Sequence, residues 1–148
     1  KEEEMTAIAF HVNAPDKTAY ACRFARKAQR AGARLVIRAP RPVLTELDRM
    51  LWSFSPQDFV AHCFADADED QIAATPVVLA SELHQAPHHE VLLNLDSQVP
   101  VGFEHFLRLI EVVSSVDEQD RGHARLRWKQ YASRGYAIAR HDLVLKGG

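Results

Sequence analysis

The first forty residues place a short apolar run, an amphipathic helical pattern and a second apolar run in succession. Residues 6–12, TAIAFHV, have the apolar character of a strand, and the following NAPD supplies turn and helix-start residues. Across residues 16–31, apolar side chains recur every three or four positions opposite a basic face, and Gly32 ends the pattern. Residues 33–39, ARLVIRA, are a second predicted strand. This order favours a parallel strand pair with a right-handed crossover, which predicts an α/β fold.

The rest of the chain extends the predicted sheet. Residues 42–54 are a predicted helix, and TPVVLAS and HEVLLNLD are predicted strands. FLRLIEVVSS fits a strand or a helix, and its β-branched residues favour a strand. DEQDRGHARLRWKQYASRG is a predicted long helix that Gly135 ends, and YAIARHDL follows as an edge strand. The acidic run DADEDQ is expected to be a surface turn or an irregular loop.

Length and composition indicate one compact core. The chain has 148 residues, of which 47% are hydrophobic, and this is the size of a single ordinary domain. Its two cysteines are too few for a disulfide framework and are expected to be buried in a protein of a reducing compartment. No apolar run approaches the length of a membrane span. We therefore expect a cytoplasmic protein with one domain over residues 5–148, and residues 1–4 are expected to be left over from expression.

The turn after the first strand lacks the glycines that hold phosphate in nucleotide-binding folds. HVNAPDKTA contains neither G-x-G-x-x-G nor a P-loop, and without glycine the backbone cannot approach a pyrophosphate closely. No cofactor is therefore expected. The pair His88 and His89 is expected to lie in a solvated loop, and His62 with Cys63 is expected to pack in the core, because neither pair has a visible third partner.

Residues 121–141, RGHARLRWKQYASRGYAIARH, carry basic and aromatic residues and no acid, although the formal net charge of the chain is −2. On a helix, Arg125 and Trp128 fall within roughly 40° of Arg121, and Ala124 and Tyr131 form an apolar flank. The planar guanidinium group of arginine pairs well with a carboxylate, and an apolar surface beside it accepts a hydrophobic side chain. The pattern therefore fits a peptide that carries a carboxylate and an apolar residue. Single-stranded nucleic acid and a solvated helix without a ligand remain alternatives.

A second group of residues, LDRMLWSFSPQDFVAHCF, is crowded with aromatic side chains. Trp52 lies about 100° from Leu51 on a helical wheel and therefore falls outside the stripe of Leu44, Leu47 and Leu51. A displaced tryptophan followed by Phe59 is typical of a protein-binding hot spot. Both aromatics could equally close the edge of the core.

Three runs of sequence carry a resemblance to a known family: LWSFSPQDFVAH, NLDSQVPVGF and RLRWKQYASRGY. With the segments around them, they resemble the chi subunit of bacterial DNA polymerase III holoenzyme over nearly the whole chain from Met5. The resemblance implies a single three-layer α/β/α domain with a largely parallel mixed sheet, Rossmann-like but without a nucleotide fingerprint.

The resemblance also implies a non-enzymatic adaptor that acts in DNA replication. Members of this family bind the psi subunit, which links them to the clamp loader, and the acidic C-terminal tail of single-stranded-DNA-binding protein. By position, Trp52 and Phe59 match the psi-binding aromatics. The residues that match the tail-binding pocket are Val116, Arg121, Arg125, Trp128 and Arg140. Contact with nucleic acid is then expected to be indirect, and neither a cofactor nor a membrane is expected. The alternatives are a small nucleotide-binding α/β enzyme and a direct binder of single-stranded nucleic acid.

Overall fold

The computed structural model describes residues 5–53 and 59–144. Seven strands are described, and in chain order they are β1 (Ala7–Ala14), β2 (Leu35–Arg38), β3 (His62–Phe64), β4 (Val77–Ala80), β5 (Val91–Asn94), β6 (Arg108–Ser114) and β7 (Ile138–Asp142). Four α-helices are described, α1 (Lys17–Arg30), α2 (Arg41–Trp52), α3 (Glu69–Ala74) and α4 (Glu118–Ser133). Two single 3₁₀ turns, Leu83–Gln85 and Phe103–His105, lie in the connections on either side of β5.

The seven described strands form one sheet in the order β3-β4-β2-β5-β6-β1-β7. Every strand pair in it is parallel. The central strands β2, β4 and β5 are almost entirely buried, as expected for strands covered on both faces. The predicted α/β fold is confirmed, although the described sheet is parallel throughout and not mixed. Strands β3 and β7 are its two edges.

Successive strand residues point to opposite faces of the sheet. Both faces carry apolar side chains, and helices cover both of them. On one face, Leu35 and Ile37 pack with the buried sides of α1 and α2. On the other face, Val36 belongs to a second apolar cluster that includes Ala124 and Tyr131 of α4. The small buried residues of α1, which are Ala21, Cys22, Ala25 and Ala28, allow that helix to approach the sheet closely. The arrangement is a three-layer α/β/α sandwich.

Aspartates and glycines fix the ends of the two longest helices. Asp16 and Asp117 precede α1 and α4, and the carboxylate of each accepts a hydrogen bond from a backbone N–H in the first turn. Such N-caps typically stabilise a helix by about 1 kcal/mol. Gly32 and Gly135 lie two residues beyond the last helical residues with φ of 76° and 89°, a left-handed conformation that glycine adopts without steric cost.

Two short elements differ from the sequence predictions. The acidic run expected to be a turn or loop contains the start of α3, because the Asp68 side chain caps that helix and Glu69 and Asp70 occupy its first turn. Acids at a helix N-terminus are favoured by the helix dipole, and this signal was read as a solvated turn. Strand β3 was missed because three residues are too few to show alternation. Phe54, the predicted end of the second helix, lies outside the described residues.

Both cysteines are buried, as the composition predicts. Burial raises the pKa of the Cys22 thiol to about 11.

Within residues 5–53 and 59–144, none of the helices has the length and apolar character required to span a bilayer.

Candidate functional site

A groove near the β7 edge of the sheet, the basic groove, runs between α4 and the strands β6, β1 and β7 and has a volume of about 370 Å³. Helix α4 contributes Arg121, Arg125, Trp128 and Lys129, and β7 contributes Arg140. The other lining residues are Phe10, Val12, Asn13, Val113, Ser114 and Ala124, so the lining contains four cations and no acid. The spacing of three to four residues along α4 brings these side chains to one face of the helix.

The floor of the basic groove is aromatic. The ring of Trp128 lies against that of Phe10, with centroids 4.9 Å apart and planes inclined by 52°. Phe10 is buried in the sheet, whereas Trp128 is half-buried and reaches the groove. The tilted pair of Trp128 and Phe10 offers a hydrophobic surface for a further apolar or aromatic group.

Asn13, which also lines the groove, has a φ of 67° and lies at an irregularity in the pairing of β1 with β6.

The guanidinium groups beside this floor are held by local contacts. Nη1 of Arg121 donates to the carbonyl oxygen of Ser115 at 2.7 Å, and its Nη2 pairs with the Glu118 carboxylate. Arg125 lies 3.7 Å from the same carboxylate, and Arg140 lies 3.8 Å from that of Asp142. The side chains of Arg125 and Arg140 are more than half exposed, and that of Arg121 is 38% exposed. Exposed pairs contribute little to stability, so an incoming anion can displace Glu118 at low cost.

Four of the five residues predicted for the tail pocket line this groove together: Arg121, Arg125, Trp128 and Arg140. Val116 does not line it and lies 77% exposed in the connection between β6 and α4. Phe10 and Lys129 are lining residues that sequence reasoning missed. Lys129 could have been found as the neighbour of Trp128 in the sequence. Phe10 could not, because no local sequence pattern shows which buried strand residue lies beneath α4.

A second surface, the aromatic surface, is formed by Trp52 at the end of α2 and Phe59 before β3. The two side chains are 60% and 38% exposed, and their ring centroids are 5.2 Å apart. The ring of buried His62 lies 5.1 Å from that of Trp52 and supports the pair from below. The predicted displacement of Trp52 from the core stripe is confirmed. Ser55 and Pro56, which lie between the two aromatics in the sequence and are typical turn residues, are outside the described residues.

Two polar side chains from different helices fix the segment that carries Phe59. The Gln29 amide of α1 donates to the Phe59 carbonyl oxygen at 2.9 Å and accepts from the Ala61 N–H at 2.8 Å. Nε2 of His62 lies 3.0 Å from a carboxylate oxygen of Asp48, and its Nδ1 lies 2.7 Å from the Val60 carbonyl oxygen. Sequence reasoning placed His62 in the core correctly but missed Gln29 and Asp48.

The two surfaces lie at opposite edges of the sheet, since His62 belongs to β3 and Arg140 to β7. Six strand spacings separate these strands, which corresponds to about 29 Å across the sheet. The two surfaces are therefore well separated on the molecule.

Comparison with known proteins assigns the chain to a family. The family model described as DNA polymerase III chi subunit, HolC, matches residues 5–139. The chain belongs to the chi-subunit family of DNA polymerase III. A relative from Pseudomonas aeruginosa, named DNA polymerase III subunit chi, is 34% identical over 145 residues, which cover 94% of this chain and 98% of the relative. The predicted resemblance is confirmed. The residues that match the family model end just before Arg140.

This chi-family chain also contains a buried polar network between the sheet and α4. Glu111 of β6 is fully buried, and its two carboxylate oxygens accept from Asn94 Nδ2 at 3.0 Å and from the Tyr131 hydroxyl at 2.6 Å. Arg127 Nε lies 3.0 Å from Glu111 in an ion pair whose N–H is not aligned as a hydrogen bond. Burial raises the pKa of Glu111 despite this cation, and burial followed by the neighbouring carboxylate raises the pKa of Tyr131.

The network separates Arg127 from the other cations of residues 121–141. Arg127 is only 1% exposed, so it belongs to the core and not to the basic groove. The available signal was Glu111, a lone acid in the otherwise apolar strand run FLRLIEVVSS. A buried acid requires a donor partner, and the helix that packs on this strand supplies one.

The remaining histidine pair of this chi-family chain offers no built site. His88 is half-buried, burial lowers its pKa, and the neighbouring His89 ring lies 5.0 Å from Phe106. In the two described stretches of the chain, no three His, Cys, Asp or Glu side chains are grouped so as to hold a metal ion.

Proposed function

We propose that this chi-family protein is a non-catalytic adaptor that couples the DNA polymerase III clamp loader to single-stranded-DNA-binding protein during replication. The observation that carries the proposal is the basic groove, where four cations and no acid surround an aromatic floor. An acidic peptide that ends in an aromatic residue and a free carboxylate matches both features. The C-terminal tail of single-stranded-DNA-binding protein has this chemistry.

Each part of the groove has a role in holding such a tail. Arg125, the more exposed of the two α4 arginines that line the groove, pairs with the terminal carboxylate in a charge-assisted hydrogen bond. Arg121 attracts the aspartates that precede the terminal residue of the tail. The terminal phenylalanine packs on Trp128 above Phe10, and Val116, exposed in the connection that precedes α4, adds an apolar contact beside the groove.

The aromatic surface supplies the second attachment. Exposed Trp52 and Phe59 have the composition of an interaction hot spot, and they bind the psi subunit, which joins chi to the clamp loader. Because the two surfaces lie at opposite edges of the sheet, psi and the tail can be held simultaneously. Neither role requires a cofactor, and nucleic acid is contacted only through the partner that coats it.

The start of α1 argues against the alternative of a nucleotide-binding enzyme. The Asp16 carboxylate caps this helix by accepting from the Ala19 N–H at 3.0 Å, at the position where a phosphate binds in nucleotide-binding folds. A phosphate there would meet a carboxylate and no glycine loop. Direct binding of single-stranded nucleic acid to the basic groove is the second candidate, since cations beside Trp128 suit it.

Replacement Arg125→Ala is expected to weaken binding of the acidic tail peptide about tenfold, the lower end of what a charge-assisted hydrogen bond contributes, because Arg125 is largely exposed. Isothermal titration with the peptide at low and high salt measures this loss, which should shrink as salt screens the pair. Arg134→Ala is the matched control, since Arg134 is an exposed arginine at the end of the same helix and does not line the basic groove.

Equal effects of the two replacements would show that net charge, and not the groove, drives binding. Tight binding of an oligonucleotide that Arg125→Ala abolishes, with no tail binding by the parent, would favour the direct nucleic-acid candidate.

Replacement Gln29→Ala is expected to weaken psi binding several-fold, because the two hydrogen bonds that hold the Phe59 segment are lost. Gln29 acts through Phe59, so the replacement should have no further effect in a Phe59→Ala background. Binding measurements on the two single variants and the double variant test this coupling. Gln71→Ala, at an exposed glutamine of α3, is the control. Additive losses would mean that Gln29 contacts psi itself or acts on the fold in general.

A further inference from the structure

The β7 edge of the sheet is open, whereas the β3 edge is largely covered. Strand β3 has three residues, of which His62 and Cys63 are buried. Strand β7 has five residues, Ile138–Asp142, and none of them is buried. Its pairing with β1 continues without a shift in register, and the strand contains no proline. Bulges and prolines are features that protect sheet edges from a further strand, so β7 is a regular edge to which a strand can be added.

The backbone groups of alternate β7 residues point away from the sheet. The N–H of Leu143, directly after β7, donates to the Val12 carbonyl oxygen of β1 at 3.0 Å. Because N–H and C=O groups alternate between the two sides of a strand, Ala139 also faces β1, whereas Ile138 and Arg140 face outward. Within the described part of the chain, no group pairs with the outward N–H and C=O of Ile138 or Arg140. A ligand backbone can therefore pair with them.

This open edge adjoins the basic groove. Arg140 belongs to both, because its backbone lies in β7 and its side chain lines the groove. Asn13 and Ser114, which also line the groove, lie at the carboxyl ends of β1 and β6. The groove is therefore close to the carboxyl ends of the parallel strands. A polypeptide that approaches along the edge and ends in the groove runs in the same direction as β7.

The side chains of β7 indicate which sequence the added strand has. Arg140 lies on the α4 face and is more than half exposed, so an acid on the same face of a neighbouring strand can pair with it. Asp142, the acid of β7, is mostly buried and lies 3.8 Å from Arg140. On the opposite face, Ala139 is exposed and small, and the His141 ring lies 4.9 Å from that of His11. Acids that alternate with small or β-branched residues fit both faces.

We propose that the acidic segment before the terminal residues of the tail adds to the sheet as a further strand, parallel to β7. This inference rests on the function proposed above and extends it, because the groove holds the end of the tail and the edge holds the chain before it. Backbone groups of the segment pair with those of Ile138 and Arg140. Main-chain pairing of this kind binds an extended chain, and alternate side chains provide the specificity.

The test compares the peptides acetyl-Asp-Phe-Pro-Phe and acetyl-Asp-Thr-Asp-Thr-Asp-Phe-Pro-Phe by isothermal titration. We expect the longer peptide to bind about tenfold more tightly, because it adds main-chain hydrogen bonds at the edge. Four derivatives of it each carry one N-methyl group, at one of the first four residues, which removes a donor and leaves the charge unchanged. Since alternate residues face β7, every second derivative should bind about fivefold more weakly, and the intervening ones are the matched controls.

Amide hydrogen exchange locates the added strand on the protein. The outward N–H of Arg140 should exchange more slowly in the complex with the longer peptide than in the complex with the shorter one. The N–H groups of Ala139 and His141 already face β1, so the two peptides should affect their exchange equally. The measurement uses the full-length protein and needs no variant that could fail to fold.

The possible failures are distinguishable. If acetyl-Asp-Phe-Pro-Phe binds but the longer peptide binds no more tightly, or its N-methyl derivatives show no alternation, the added strand is wrong and the groove assignment stands. If neither peptide binds, the proposed function is contradicted and this inference falls with it. Slower exchange of the Arg140 N–H at high protein concentration without peptide would show that a second copy of the chain occupies the edge, which would also overturn the proposal.

Discussion

Replacement Arg127→Met is expected to lower the free energy of unfolding by about 3–5 kcal/mol, the usual cost of removing one partner from a buried ion pair. Glu111 is fully buried, so the replacement leaves a carboxylate without its cation in the core. Methionine keeps much of the arginine volume, which limits the contribution of a cavity to the loss. Urea unfolding of parent and variant measures the difference.

A second replacement separates the lost charge balance from lost packing. In Glu111→Gln/Arg127→Met the neutral amide still accepts from the Tyr131 hydroxyl, so we expect at least half of the loss to be recovered. A higher free energy of unfolding for the double variant than for Arg127→Met would show that the loss comes from the buried charge. If the double variant is as unstable as the single one, packing around Arg127 and not its charge dominates.

The stability of Arg127→Met should also depend on pH in a defined direction. Burial already raises the pKa of Glu111 in the parent, and removal of the cation raises it further. The folded state then binds a proton more tightly than the unfolded state, so stability falls as pH rises from the unfolded pKa through the folded one. The deficit relative to the parent is therefore smaller at pH 5 than at pH 8. An equal deficit at both values would contradict this account.

Replacement Trp52→Ala is expected to weaken psi binding by about thirtyfold or more, since truncation of a hot-spot tryptophan costs about 2 kcal/mol or more. Trp52 is 60% exposed, so folding stability should change little. Co-purification with co-expressed psi, followed by titration of the purified proteins, measures the loss. Tail binding should be unaffected, because the basic groove lies at the other edge of the sheet.

Leu107→Ala is the control for Trp52→Ala, because it truncates an exposed apolar residue away from the aromatic surface. Full psi binding by Trp52→Ala would show that psi uses another surface. A simultaneous loss of psi and tail binding would indicate altered folding, and circular dichroism of the variant would detect it.

Periodicity predicted most of the fold, because the long elements bury continuous faces. The buried stripe of α2 and the apolar strands β2, β4 and β5 follow directly from their apolar patterns. Elements that depend on few residues were harder to predict. Strand β3 has three residues, and its place at the sheet edge is set by pairing with β4, a long-range contact that no local pattern encodes. The acids at the start of α3 are compatible with both a helix N-terminus and a loop.

The candidate sites were predictable only on the helices. Helical spacing places Arg121, Arg125 and Trp128 together, and it displaces Trp52 from the core. The opposite sides of both sites come from distant parts of the chain, such as Phe10 beneath Trp128 and Gln29 against the Phe59 segment. Spacing also cannot distinguish a solvated arginine from Arg127, whose burial depends on an acid in another strand.

The central claim, that the basic groove holds the tail of single-stranded-DNA-binding protein, is tested most directly by tryptophan fluorescence. An acidic peptide that ends in Asp-Phe-Pro-Phe is titrated into the protein, and a peptide that lacks only the terminal phenylalanine is the control. Trp128 lines the groove, so the intact peptide should give a saturable change that persists in Trp52→Ala. The truncated peptide should give little change. No saturable change with the intact peptide, or equal responses to both peptides, would contradict the account.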